Sequence, residues 1–334
     1  MKKVLLILMC CMAIQSVHAQ DTPKWADKAK KAVFSIVTYD KENKIKNTGN
    51  GFYINNNGTA LSDYSLFEDA ERAVIINADG KELPVTRIAG ANSMYDVIKF
   101  RTETEKKITA LKVATQPAAV GETVYLLPYS TQKAATCQTG KVTQVDTIAD
   151  KAYYYTLTMT TSDKTVSCPI MNANGEVLGL IQKSASEEDK ESYAIGASYG
   201  ESLSISPLSA NDINLNKIGI AKALPETEDQ ALVYLYMSSS QMDAKNYLAT
   251  LNDFLQAYPN STEGYTRRAG YYMNIGDDEH NALAEADLKK AMDVSGNKTE
   301  GQYNVAKIIY SYCINLEEGK KATFALANPI WFLL

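Results

Sequence analysis

Residues 47–67 read NTGNGFYINNNGTALSDYSLF, and the fold turns on them. Two short runs, GFYI and GTALS, flank NNNG, a cluster of turn formers. Runs of this length, rich in aromatic and β-branched residues and divided by such a turn, predict paired strands and not a helix.

The same texture extends on both sides, from about Ala32 to Ile205. AVFSIVTY, GFYI, GTALS, AVIINA, KELPVTRIA, DVIKFR, ETVYLLPY, CQTGKVTQV, YYYTLTM, CPIM, EVLGLIQ and SYAIGAS follow one another, separated by turns such as ADG and NANG. A dozen short strands without helical patterns between them predict an all-β antiparallel barrel or sandwich. KWADKAKKA, ahead of the first strand, predicts a short helix.

From Gln230 the apolar spacing changes to three and four, the helical period. Pro207 and Pro225 bracket a mixed stretch, so residues 206–228 are expected as a linker and 229–334 as an α-helical array. NYLATLNDFLQAYPNS and ALAEADLKKAMDVSGN resemble each other, and each follows an aromatic-rich helix. The array is similar to tetratricopeptide repeats (TPR). Tyr265, Ala269, Tyr272 and Gly276 stand where that repeat uses aromatic, small, aromatic and glycine residues. Ala284, Leu288 and Ala291 fit its second helix, after an apparent insertion of about three residues in DDEHN. An unrelated helical bundle is the plainer alternative.

The chain opens MKKVLLILMCCMAIQSVHA: a basic start, an apolar run and small residues before a cut. This predicts a signal peptide spanning residues 1–19, cleaved after Ala19, and an exported protein, periplasmic or extracellular. The run is too short to span a bilayer, and the residues before Cys10 and Cys11 fit lipidation poorly. After cleavage 32 basic side chains face 39 acidic ones, a net of −7. That balance gives no basic face for nucleic acid. No spacing suits zinc or calcium, so no metal or other cofactor is expected. The terminal ATFALANPIWFLL is apolar. It reads as the second helix of a last repeat or as a docking segment.

Across residues 32–200 the order of pieces resembles the trypsin-like double β-barrel of serine proteases, in its HtrA-type branch. GNGFYINNNGTALS resembles the strands before the catalytic histidine, and SMYDVIKFR the strand that brings the aspartate. TCQTGKVTQV and VSCPIMNANGEVLGLIQK resemble the strand beside the nucleophile loop and that loop itself. The resemblance puts the histidine's place at Ser65 and the aspartate's at Asp96. The family's Gly-Asn-Ser-Gly-Gly-Pro, anchored on Pro169, places Val166 at the nucleophile and Lys164 at the oxyanion-loop glycine. A slip of one residue would make the serine Ser167.

A Ser-His-Asp mechanism needs an imidazole to take and return the proton. The chain has two histidines, His18 in the leader and His280 in the helical half, so residues 20–205 contain none. A thiol mechanism at Cys168 would need an activating neighbour, and Lys164 is the only cation close in sequence. By resemblance Cys137 lies beside the nucleophile loop, which makes a Cys137–Cys168 disulfide a possibility. The sequence therefore predicts a pseudoprotease barrel without a catalytic triad, followed by TPR-like helices, that acts as a scaffold for a protein or peptide partner. An endopeptidase with an atypical site and a structural subunit of an envelope assembly are the competing expectations.

Overall fold

The structure is a computed structural model that describes residues 22–104, 108–149, 152–182 and 191–314. The expected signal peptide and the apolar C-terminal segment lie outside the described residues. The chain divides into two compact units.

The first unit holds a short leading helix, α1 (Ala26–Ala29), and two closed barrels of six strands. The first barrel contains β1 (Val33–Tyr39), β2 (Ile45–Tyr53), β3 (Thr59–Ser62), β4 (Arg72–Ile76), β5 (Glu82–Asn92) and β6 (Val97–Thr102), in the order β1-β2-β3-β6-β5-β4. The second contains β7 (Thr123–Leu126), β8 (Gln138–Ala149), β9 (Ala152–Leu157), β10 (Pro169–Met171), β11 (Val177–Ile181) and β12 (Ser192–Gly196), in the order β10-β11-β12-β9-β8-β7. Helix α2 (Ala197–Ser202) follows. This is the trypsin-like double barrel.

Period-2 alternation fills the barrels. Along β1, Phe34, Ile36 and Thr38 are fully buried while Ser35, Val37 and Tyr39 between and after them are only half-buried. Phe34 and Phe100 meet inside the first barrel with ring centres 6.2 Å apart, edge to face. Each of the twelve runs read from the sequence contains a strand. Several boundaries differ, and two of them have a clear cause. β2 starts at Ile45, six residues before GFYI, because the polar IKNTGN is held by backbone pairing to β1 and not by an apolar pattern. SYAIGAS leaves the sheet at Gly196, where α2 begins.

The turn between β2 and β3 follows its residues. Gly58 has φ +92°, and Asn57 Oδ1 accepts hydrogen bonds from the Thr59 amide and hydroxyl. This places Thr59–Ser62, and the residues after it, in fixed register against β6.

Among the described residues, the second unit comprises 204–314 with 87–91. The expected linker is packed and not extended. It carries α3 (Ile213–Asn216), buries Leu215, Ile218 and Ile220, and within this unit joins Ile88 through the backbone of Ala221 and Ala223. Helices α4 (Glu228–Ser238), α5 (Ala244–Ala257), α6 (Thr262–Ile275), α7 (Asp278–Val294) and α8 (Lys298–Ile314) follow. Thr227, Asp243, Ser261 and Asp277 cap α4 to α7 with side-chain oxygens.

Ala269, Tyr272, Ala284, Leu288 and Ala291 lie in one buried cluster with Val305 and Ile309, and Tyr265 packs against it. Gly276 ends α6 in the left-handed conformation, φ +75°. The extra residues DDEHN make no loop. Asp277 caps α7, and the rest lengthen it to 17 residues against 14 in α6. Arg268 grips Asp287 with two hydrogen bonds of 2.7 Å, tying α6 to α7. Among the described residues, no helix is long and apolar enough to cross a membrane.

Two glycines should respond with opposite sign. A Cβ at Gly51 would lie 2.7 Å from the Leu61 carbonyl oxygen and 2.7 Å from Phe34, so Gly51→Ala should destabilise the barrel by about 1–3 kcal/mol. A Cβ at Gly270, inside α6, meets nothing within 4 Å. Gly270→Ala should therefore stabilise the helices by about 0.5–1 kcal/mol. Urea unfolding of each variant checks both signs.

Candidate functional site

Three segments of the first unit meet where the two barrels face each other. One is the turn after β3, Asp63–Phe67. The second is the turn into β6, which carries Asp96. The third is loop 162–168, which leads into β10.

The structure brings Ser65 and Asp96 together. The Ser65 amide donates to Asp96 Oδ1 at 2.7 Å, and the Ser65 hydroxyl donates to Asp96 Oδ2 at 3.0 Å. Asp96 sits at φ +47°, a conformation aspartate tolerates better than most residues, in the turn that presents its carboxylate to Ser65. Asn47 braces the same turn from β2, donating to the carbonyls of Ser65 and Leu66. Both oxygens of Asp96 thus accept from Ser65, which is exposed. A serine hydroxyl can donate here, but it does not take up a proton near neutral pH as an imidazole would.

Loop 162–168 has its own internal order. The Thr165 and Val166 amides both donate to the Ser162 carbonyl, at 2.8 and 3.2 Å. Val166 N–H stands at the place that the Pro169 register gives to an oxyanion donor, and here it is engaged within the loop. Ser167 has φ +64° and is fully buried. In that register it replaces a glycine, which would take this conformation without strain. Lys164 is exposed.

The contacts from the first barrel were not legible in the sequence. Asn50, on β2, donates to the Lys164 carbonyl at 3.1 Å and the Val166 carbonyl at 2.9 Å. Ser62 donates to the Asn50 carbonyl at 2.6 Å, which fixes that residue in turn. Asp63, two residues before Ser65, is 2% exposed. Its Oδ1 and the Ser167 hydroxyl are both buried without a hydrogen-bond partner. Burial raises the Asp63 carboxyl well above the usual range, and the charge of Asp96 raises it further. The Ser167 hydroxyl is close enough to favour the charged form in part, although its geometry is not that of a formed hydrogen bond. The only sequence signal was a carboxylate in the apolar setting SDYSLF.

The expected Cys137–Cys168 bridge is corrected: both thiols are free. The reason is topological. Gln138 pairs with Leu126, and Leu126 pairs with Ile170, so β7 lies between β8 and β10. Two strand spacings are roughly 10 Å, beyond the ~7 Å Cα separation a disulfide spans. Burial pushes the Cys168 thiol up to about 12, with Asp63 adding to the effect against a backbone hydrogen bond from Tyr129. Burial, helped by Asp27, takes Cys137 to about 11. Neither thiol is an activated nucleophile. Among the described residues no group of three or more His, Cys, Asp or Glu could hold a metal ion.

Residues 49–180 match the family model of the trypsin-like peptidase domain. No curated protein matches the chain. Among solved structures, the serine endoprotease from Yersinia pestis is similar, with 14% identity and a TM-score of 0.45 over 54% of this chain. The match takes in 65% of that enzyme's chain, just under two thirds of its length.

Asp63 gives this site a pH signature. A carboxyl whose folded value is raised contributes stability that is complete below the unfolded value and is lost as pH rises through the folded one. Asp63→Asn removes that loss. The variant should exceed wild type in urea midpoint at about pH 8 and converge with it near pH 4, the ordinary carboxyl range. Parallel urea titrations at the two pH values check this.

Proposed function

We propose that this is an exported, non-catalytic protease-like protein, a scaffold that binds a protein or peptide through its barrels and a TPR-like helical array. The observation that carries the reading is Ser65 in the base's place, bonded through both its amide and its hydroxyl to Asp96. With no imidazole in residues 20–205, the barrels lack the group that shuttles the proton in a Ser-His-Asp mechanism. The engaged Val166 amide supports the same reading from the oxyanion side.

The helices supply the surface. The small residues Ala269, Ala284 and Ala291 in one buried cluster, with Gly276 ending the first helix, are what close TPR-like pairing needs. Tyr236 on α4, and Tyr303 and Tyr310 on α8, are each more than 65% exposed. Aromatic side chains of this kind offer large contact area to a partner at low entropic cost. Export is inferred from the leader-like residues 1–19.

The competing endopeptidase reading would use Ser167, whose hydroxyl is buried and faces a carboxyl with raised proton affinity. A fluorophosphonate probe separates the two. The expected result is no labelling of native protein, with trypsin labelled in parallel. Stoichiometric labelling that disappears in Ser167→Ala would overturn the proposal. The binding role is checked by crosslinking the full chain in its native cell. A partner band lost in the Tyr236→Ser, Tyr303→Ser, Tyr310→Ser variant is expected, and self-association alone would favour a structural subunit instead.

A further inference from the structure

We propose that residues 25–30 form a strap whose docking holds loop 127–137 of the second barrel closed, and whose release frees that loop while both barrels stay folded.

The strap leads into β1 of the first barrel, yet its side chains reach the second. Trp25 Nε1 donates to the Ala173 carbonyl at 3.0 Å. Its ring meets Tyr125 on β7 edge to face, with centres 5.8 Å apart. The turn between β10 and β11 is shaped to receive it. Gly175 has φ +78°, and a Cβ there would lie 2.7 Å from the indole. Asp27 Oδ1 accepts from the Ala135 amide at 2.8 Å. Lys30 Nζ donates to the carbonyls of Gln132 and Lys133, the latter at 2.7 Å.

These contacts divide the work. Trp25 anchors the strap to the β10–β11 turn and to β7, while Asp27 and Lys30 hold the loop. Lys30 is 8% exposed. An ammonium buried to that degree is costly unless it is hydrogen-bonded, and the two loop carbonyls compensate that cost. Ala135 is buried between Ala134 and Thr136, which are both exposed, so the loop is pinned at the point Asp27 reaches. Within the loop, the Gln132 amide donates to Ser130 Oγ at 3.1 Å, a bond that shapes the turn without tying it to a barrel. Lys30 and Asp27 are charged and hydrate readily once freed, so opening the loop costs little beyond these bonds.

The loop passes the constraint on. Tyr129, near its start, reaches the Cys168 sulfur through its backbone, and its hydroxyl donates to the Asn77 carbonyl at 3.3 Å. Strap, loop 127–137 and loop 162–168 are therefore linked in series.

Peptide-resolved hydrogen exchange of the full chain tests this. In wild type, residues 130–137 should exchange through a local opening, at a rate that urea well below the midpoint leaves unchanged. Lys30→Met removes the hold on the loop and should speed that exchange by about tenfold. Trp25→Leu loosens the anchor of the strap and should speed it as well. Neither variant should change exchange in β9 or β12. Four results would each overturn the strap: loop exchange in wild type that rises with urea in step with the strands, no acceleration in Lys30→Met, acceleration in Lys30→Met without any in Trp25→Leu, or equal acceleration in loop and strands. The wild-type urea series decides the question if either variant fails to fold.

Discussion

Asp96 spends both carboxylate oxygens on Ser65, one on the amide and one on the hydroxyl. The bond to the amide is the structural one. It pins the turn after β3 to the turn before β6, and those turns set where Asp63 enters the interior and where Asn50 can reach loop 162–168. A carboxylate that accepts a backbone N–H in this way organises a turn whatever side chain follows. The hydroxyl then completes the pair. The site is therefore a well-formed contact around a serine.

On the proposed reading, that contact explains how a barrel pair can keep its architecture without the chemistry of a Ser-His-Asp site. Barrel closure depends on Phe34, Phe52, Leu61, Phe100 and their neighbours, all fully buried and none chemically reactive. The residues at the meeting of the barrels are held by a different set of forces, namely Asn50, Ser62, Asp63 and the internal turn of loop 162–168. Substitution at one set leaves the other in place. The helices form a separate compact unit with its own caps and its own clusters.

Much of this was legible in the sequence, for identifiable reasons. The texture of short runs rich in β-branched and aromatic residues marked the strands of the barrels, and the NNNG turn within it located the β2–β3 hairpin. It failed for residues 45–50, where pairing is by backbone alone, and at Gly196, where an apolar run passes from strand to helix without a polar break. Ser65 and Asp96 were placed by resemblance, and the structure brings them into contact. Asp63 and Asn50 were missed because their importance lies in contacts across the barrels, Asn50 reaching residues 114 and 116 positions away. The cysteine pairing failed for a related reason: the resemblance put Cys137 beside the nucleophile loop without showing that β7 intervenes.

Barrels without an imidazole, with Ser65 gripped by Asp96, should not hydrolyse peptide bonds. The most direct measurement is the release of peptides from an unfolded, fluorescently labelled protein substrate by the purified full chain at neutral pH, beside an equal amount of trypsin. The predicted result is release no faster than in buffer alone. Turnover that persists through purification and vanishes when Ser167 is changed to alanine would contradict it.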